Sequence, residues 1–176
     1  MIIRWSAIQQ TECIPPFGDE LFKHLNLYRG TVKYASCSAW VLLYNTLLSN
    51  GLAVSNVSFN SSGKPFFISS SLHFSISHSN ELCAVAIANS CVGVDIEICK
   101  VNYNKHLLRR VINESEQFEY NGDFTRLWCR KEAVAKMTGE GIIRYPSQIN
   151  TTRYVFREEL IEYKDQKYWL VAVNEK

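Results

Sequence analysis

Apolar residues change their spacing several times along the chain, and each change marks an expected element. Ile2 to Ile8 reads as an opening strand, and Pro15-Pro16 precedes a helical stretch from about Asp19 to Tyr28. Between Thr31 and Asn50, the positions Tyr34, Trp40, Val41, Leu43, Tyr44, Leu47 and Leu48 recur at steps of three and four, which is one face of a helix. Gly51 is placed to cap it. This helix is expected to back a sheet. From Val54 to Ile98 the apolar runs become short and β-rich, at Phe66 to Ile68, His73 to Ser77, Leu82 to Ala88 and Cys91 to Ile98. Ser79-Asn80-Glu81 and Asn89-Ser90 read as the hairpin turns between them. Helices return at about Lys105 to Ile112 and Phe124 to Thr138, followed by a final β-rich pair, Arg153 to Tyr163 and Tyr168 to Val173.

The order strand, helices, strands, helices, strands predicts an α+β protein of two similar, pseudo-symmetric lobes, each with a small, mostly antiparallel sheet and a packing helix. The boundary is expected near Ile98 to Asn104, giving lobes of residues 1–98 and 99–176 with the active site between them. No sequence repeat, low-complexity tract or long linker separates the two halves, so they are expected to pack directly.

Two acidic segments carry candidate chemistry. In Gly93-Val94-Asp95-Ile96-Glu97 the alternation places Asp95 and Glu97 on one face of a strand, about 6.5 Å apart at their bases. Two carboxylates so close repel unless a cation lies between them, and hard oxygen ligands suit magnesium. The alternative is an edge strand with an acidic outer face. In Trp128 to Lys136, Leu127, Trp128, Val134 and Met137 are expected to anchor a helix whose other side carries Glu132 and Lys136. These two are close enough to meet one ligand from neighbouring turns, or to form an ordinary surface ion pair.

Gly63-Lys64-Pro65 would hold a lysine at the lip of a strand, although a solvated turn lysine has the same pattern. His73 to Ser79 is expected to turn Phe74 and Ile76 inward and its polar residues outward. It ends in Ser77-His78-Ser79, a strand end able to receive a phosphate or an adenine. Lys23, Arg29 and Lys33 form a loose basic group around the join of the first two helices.

Bulk properties narrow the classes. The 176 residues are 47% hydrophobic and 20% charged, the composition of an ordered globular chain. A formal net charge of +2 is too balanced for a protein that coats nucleic acid. No run approaches the ~20 apolar residues of a membrane span, and Arg4 and Trp5 interrupt any leader-like stretch, so a cytoplasmic location is expected. The six cysteines lack any Cys-x-x-Cys pair and mostly sit in apolar runs, which favours small-hydrophobe roles over zinc or disulfides. Cys129 is expected to be structural rather than catalytic.

Gly63-Lys64-Pro65, Phe74 to Ser79, Gly93 to Glu97, and Trp128 to Lys136 followed by Gly139-Glu140-Gly141 occur in an order that resembles the 4′-phosphopantetheinyl transferase superfamily. The resemblance runs from about Gly63 to Gly141. It points to the larger, two-lobed, monomeric type that activates surfactin synthetase, because Asp95 follows a complete N-terminal lobe instead of lying near the amino terminus. The resemblance implies transfer of 4′-phosphopantetheine from coenzyme A to a serine of an apo acyl carrier protein or peptidyl carrier protein, with release of 3′,5′-adenosine bisphosphate.

It also implies that Asp95, Glu97 and Glu132 bind magnesium, with Glu132 as the route for the serine proton and Lys136 on the phosphates. Lys64, Ser77 and His78 match positions at the adenine and 3′-phosphate end, and Lys131 matches a lysine that steadies the phosphates. The family's basic residue early in the second helix falls near Ala35-Ser36 here, leaving Lys33 or Arg29 as substitutes. Cys129 stands in place of a small serine or threonine. A magnesium-dependent nuclease or phosphohydrolase and a catalytically silent binding module are the rival readings. The balanced charge counts against a nuclease, and the three intact acids against a silent module.

Overall fold

The fold is given by a computed structural model, which describes residues 1–99, 105–118, 120–140 and 146–175. Gly141, at the end of the last motif, and positions 100–104 of the expected boundary lie outside the described residues. In chain order the elements are β1 (Ile2–Ala7), α1 (Asp19–Leu25), α2 (Gly30–Ser49), β2 (Val57–Phe59), β3 (Pro65–Phe67), β4 (His73–Ser79), β5 (Leu82–Ala88), β6 (Val92–Ile98), α3 (Lys105–Val111), α4 (Phe124–Thr138), β7 (Arg157–Tyr163) and β8 (Gln166–Asn174). No described helix is long and apolar enough to cross a membrane.

One path is traced twice. The first sheet has the order β1-β5-β4 and the second β6-β8-β7, so each half runs strand, helix, strand, strand and places its last strand in the centre. All four pairings are antiparallel. This is the expected α+β arrangement of two similar halves, with the short β2–β3 hairpin as an addition to the first. Cys91 to Ile98, placed by sequence at the end of the first lobe, pairs with β8 in the second sheet.

The layers follow from which face of each strand is apolar. Val85 and Ile87 of β5 join Phe74, Trp40, Leu43 and Leu47 in a core beneath α2. The alternate residues Leu82, Ala84, Ala86 and Ala88 face Val94, Ile96, Leu170 and Ala172 of the second sheet. Alanine at three of those four β5 positions lets the sheets approach closely, and burial of both faces explains the unbroken apolar run. On the far side of the second sheet, Cys129, Ala133, Val134 and Met137 of α4 pack on Val171 and Val173. The order of layers is therefore helix, sheet, sheet, helix.

Local differences from the sequence reading have identifiable causes. The first helix ends at Leu25 rather than Tyr28, and the chain re-enters helix at Gly30 with φ +56. The segment expected as strand from Arg153 begins instead with a short 3-10 turn, Thr151–Arg153, because the Asn150 side chain accepts the Thr152 amide; β7 starts at Arg157. β4 runs two residues beyond the expected Ser77, so the turn tightens around Asn80 at φ +51.

The largest correction concerns the polar face of β4. Ser75 and Ser77 were expected to point outward, yet both are buried, and with Ser79 they meet the edge of β6. The hydroxyls of Ser75, Ser77 and Ser79 accept the amides of Val94, Ile96 and Ile98 at 3.1, 3.4 and 3.3 Å. Side chains thus replace a backbone ladder between strands of different sheets. A buried amide left without an acceptor costs about 1–3 kcal/mol, which accounts for polar residues in the middle of this contact.

Candidate active site

Glycine at 93 determines how the acidic strand meets the acidic helix. A Cβ at Gly93 would stand 1.8 Å from the carbonyl oxygen of Ala133 and 2.6 Å from the Met137 amide nitrogen. Only the absent side chain lets α4 cross β6 at this distance. Asp123 caps the start of α4 by accepting the Arg126 amide, and Gly139 ends it in a left-handed conformation at φ +77. Trp128, Glu132, Ala135, Lys136 and Gly139 then fall on one helical face, and all five line a cleft of about 540 Å³.

Asp95 lies at the base of this cleft, 3% exposed. Its Oδ1 accepts hydrogen bonds from Ser77 Oγ at 2.8 Å and Lys136 Nζ at 2.7 Å. Lys136 also donates to Ser77 Oγ at 2.8 Å. Glu97, two residues along the same face, accepts from Ser79 Oγ at 2.9 Å. Asp95, Glu97, Glu132 and Lys136 therefore line one cleft, together with Lys64, Ser77 and His78.

The electrostatics record this grouping. Burial, followed by the nearby Asp95 and Glu97 carboxylates, raises the pKa of Glu132 against the opposing pull of Lys136. Desolvation against the cleft wall and then the Lys136 ammonium lower that of His78, favouring a neutral imidazole although part of the ring faces solvent. Burial likewise lowers that of Lys64. An acid with a raised folded-state pKa binds its proton more tightly when folded. Its stabilising contribution is present below the ordinary carboxylate range and is lost as pH rises through the folded value. Glu132→Gln is therefore expected to raise the melting temperature of metal-free protein at pH 7 by a few degrees. The advantage should vanish on acidification below the ordinary glutamate pKa of about 4.3, and calorimetric melts across that range check it.

The donor chemistry fits a hard cation. Asp95 Oδ2 is buried with no hydrogen-bond partner, the one such side-chain atom among the described residues. Such an orphan oxygen is costly unless a ligand completes it. Among the described residues, no three His, Cys, Asp or Glu side chains are already gathered at metal-binding distance. Instead the Lys136 ammonium neutralises Oδ1, and Ser77 and Ser79 hold the two strand carboxylates.

Two expected binding residues are committed elsewhere. Lys131 is 2% exposed and turns away from the cleft, donating to both oxygens of Glu116 at 2.9 and 2.7 Å and to the Ile149 carbonyl at 2.6 Å. It is one position out of phase with the face of α4 that carries Glu132 and Lys136 into the cleft. Lys33 is paired with Glu12 at 2.6 Å and lies outside the cleft lining. Arg29 donates to the carbonyls of Asn26 and Tyr28. Lys64 does reach the cleft, where its ammonium donates to the Met137 carbonyl at the end of α4 at 2.8 Å, and Ser62 bonds the Gly139 carbonyl beside it.

Four lining residues carry no cleft role in the sequence expectations. Trp128, expected as a helix anchor, is a cleft wall, as its i, i+4, i+8 spacing to Glu132 and Lys136 would have indicated. The cleft continues past His78 into a second hollow bounded by His24, Tyr28 and Ser36. His24 stacks on Phe59 with centroids 4.4 Å apart, a contact between α1 and β2 that no local pattern signals. Cys129 is buried beneath Asp95, where burial first and the carboxylate second push its thiol well above the usual range, consistent with the structural role expected.

Two similar α+β halves thus enclose an acidic cleft with a lysine at its centre, the setting of an enzyme-like site. Residues 91–172 match the sequence model of the 4'-phosphopantetheinyl transferase superfamily. The chain is similar to a putative 4'-phosphopantetheinyl transferase of Haemophilus influenzae, 32% identical over 120 residues, which are 60% of this chain and 51% of that protein. It is also similar to the 4'-phosphopantetheinyl transferase gsp of Aneurinibacillus migulanus, 35% identical over 92 residues, which are 47% of this chain and 38% of that protein. The aligned part spans about half the length of these relatives or less. Over residues 91–172 the chain is thus similar to the 4'-phosphopantetheinyl transferase superfamily.

Proposed function

We propose that the chain is a magnesium-dependent transferase that moves 4′-phosphopantetheine from coenzyme A to a serine of an apo acyl or peptidyl carrier protein, releasing 3′,5′-adenosine bisphosphate. The observation that carries this reading is the partnerless buried oxygen of Asp95, set in one cleft with Glu97, Glu132 and Lys136. It acts as a cytoplasmic monomer of the larger, two-lobed type, with the lobes dividing at the Asn89-Ser90 turn, where the first sheet ends and β6 begins the second.

Asp95, Glu97 and Glu132 would hold the magnesium ion, which when bound supplies positive charge against the pyrophosphate oxygens. Glu132 takes the proton of the incoming serine hydroxyl, and the upward shift of its pKa makes it a stronger base than an ordinary carboxylate. Lys136 donates to the phosphate oxygens on which charge accumulates as the adenosine bisphosphate departs. Ser77 keeps Lys136 and Asp95 in register, since its hydroxyl bonds both. His78 and Lys64 bind the nucleotide end, and Ser36 and Tyr28 border the hollow that continues beyond them.

The test is incubation with coenzyme A, magnesium and apo carrier proteins, followed by intact-mass measurement. A gain of roughly 340 Da on a carrier serine is expected for phosphopantetheine transfer. Asp95→Ala should lower the rate by at least about a hundredfold while circular dichroism shows an intact fold. Coenzyme A cleavage with no mass gain on any carrier, or near-normal turnover by Asp95→Ala, would sink the reading.

A further inference from the structure

β4 and β6 run parallel with a constant offset of 19 positions, but their backbones are not paired; the alternate side chains of β4 meet the amide edge of β6. Each hydroxyl can give one proton as well as accept one. Ser77 and Ser79 use both capacities: each accepts an amide of β6 and donates to the carboxylate of the residue preceding that amide. Ser77 bridges the Ile96 amide and Asp95, and Ser79 bridges the Ile98 amide and Glu97. Ser75 accepts the Val94 amide at the other end of the row, where residue 93 is glycine and offers no carboxylate. The row therefore ties the first sheet to the second and, at two of its three positions, aims an acid of the cleft.

We infer that Ser75, Ser77 and Ser79 form a hydroxyl seam joining the two halves, and that Ser79 is a positioning residue for Glu97. Ser79 does not line the cleft; it acts through the carboxylate. With its rotamer fixed by the Ile98 amide, it holds one oxygen of Glu97, so that the carboxylate does not have to be ordered when a cation arrives. The assignment of a cation to Glu97 rests on the proposed function, whereas the seam stands on its hydrogen bonds alone.

Ser79→Ala removes both bonds, and Ser79→Thr keeps the hydroxyl. In Ser79→Ala, amide hydrogen exchange at Ile98 is expected to accelerate by about tenfold or more, because its acceptor is gone. Affinity for Mg2+ or Mn2+ added alone, read by calorimetry, should fall about three- to tenfold. Ser79→Thr should restore both. Ser75→Ala is the comparison: it should accelerate exchange at Val94 similarly while shifting cation affinity less, since no acid precedes that amide on the strand.

Unchanged Ile98 exchange in Ser79→Ala overturns the seam. Equal losses of cation affinity in Ser75→Ala and Ser79→Ala, or no rescue of affinity by Ser79→Thr, overturn the positioning role. If Ser79→Ala does not fold, Ser79→Thr and Ser75→Ala still decide: wild-type exchange at Val94 in Ser75→Ala sinks the seam, and cation affinity in Ser79→Thr well below wild type sinks the positioning role. Loss of the proposed transferase reading would appear separately, as absence of carrier modification by the wild type with the exchange results intact.

Discussion

Gly93→Ala is expected to be the most damaging single-methyl change in the second half of the chain. The added carbon would meet backbone, not a flexible side chain, at 1.8 Å from the Ala133 carbonyl. Relief requires α4 to move away from β6 or β6 to bend, and overpacking of this kind costs about 1–3 kcal/mol, occasionally more. For a chain of this length that corresponds to a fall in melting temperature of roughly 2–12 °C. The effect on activity should exceed the effect on stability. Glu132 immediately precedes Ala133 and Lys136 precedes Met137, the two residues struck, and a displacement of about 1 Å in a reacting group costs on the order of a hundredfold. Transfer lowered by less than tenfold in a folded Gly93→Ala variant would mean that the site does not depend on this close crossing.

The second large effect is expected at Glu116, far from the cleft. Its carboxylate and the Lys131 ammonium are both almost fully buried and 2.7 Å apart. Glu116 also accepts the amides of Asn113 and Thr151 and the Thr151 hydroxyl. Burial alone would raise its pKa, but Lys131, Thr151 and the Asn113 amide together hold it below the ordinary value. Burial lowers that of Lys131 against the pull of Glu116. The two groups stabilise each other's charged forms as a buried ion pair.

Glu116→Ala leaves a buried, unpaired ammonium, which costs about 3–5 kcal/mol, and a drop in melting temperature on the order of 10 °C follows. The carboxylate's contribution is present above the ordinary glutamate range and is lost as pH falls through its depressed folded value. The gap between wild type and Glu116→Ala should therefore narrow in acid. The double variant Glu116→Leu with Lys131→Met should be much less destabilised than Glu116→Ala, because no charge remains in the interior. Equal melting temperatures for wild type and Glu116→Ala at pH 7 would contradict this account, and thermal melts at pH 7 and pH 4 measure both parts.

The sequence by itself determined most of the elements and which acids share a face. Steps of three and four from Trp40 to Leu47, and alternation through Asp95 and Glu97, are local consequences of helix and strand geometry, and they persist in the fold. The same periodicity placed Glu132 and Lys136 on one face of α4, which the cleft lining bears out.

Tertiary structure decided what those faces meet. Alternation told that Ser75, Ser77 and Ser79 share a side of β4, but not that this side would be buried against a strand of another sheet, because a serine is equally suited to water and to a buried amide. Lys131 and Lys136 are both lysines on one helix. Five residues of helical rotation send one to Glu116 and the other to Asp95, and only the positions of those two partners, distant in sequence, distinguish a structural cation from one in the site. Gly93 carries the same lesson. Its role is the space it leaves empty for a helix some forty residues further along the chain, and no spacing within its own strand can record a contact that forms only when the second half folds.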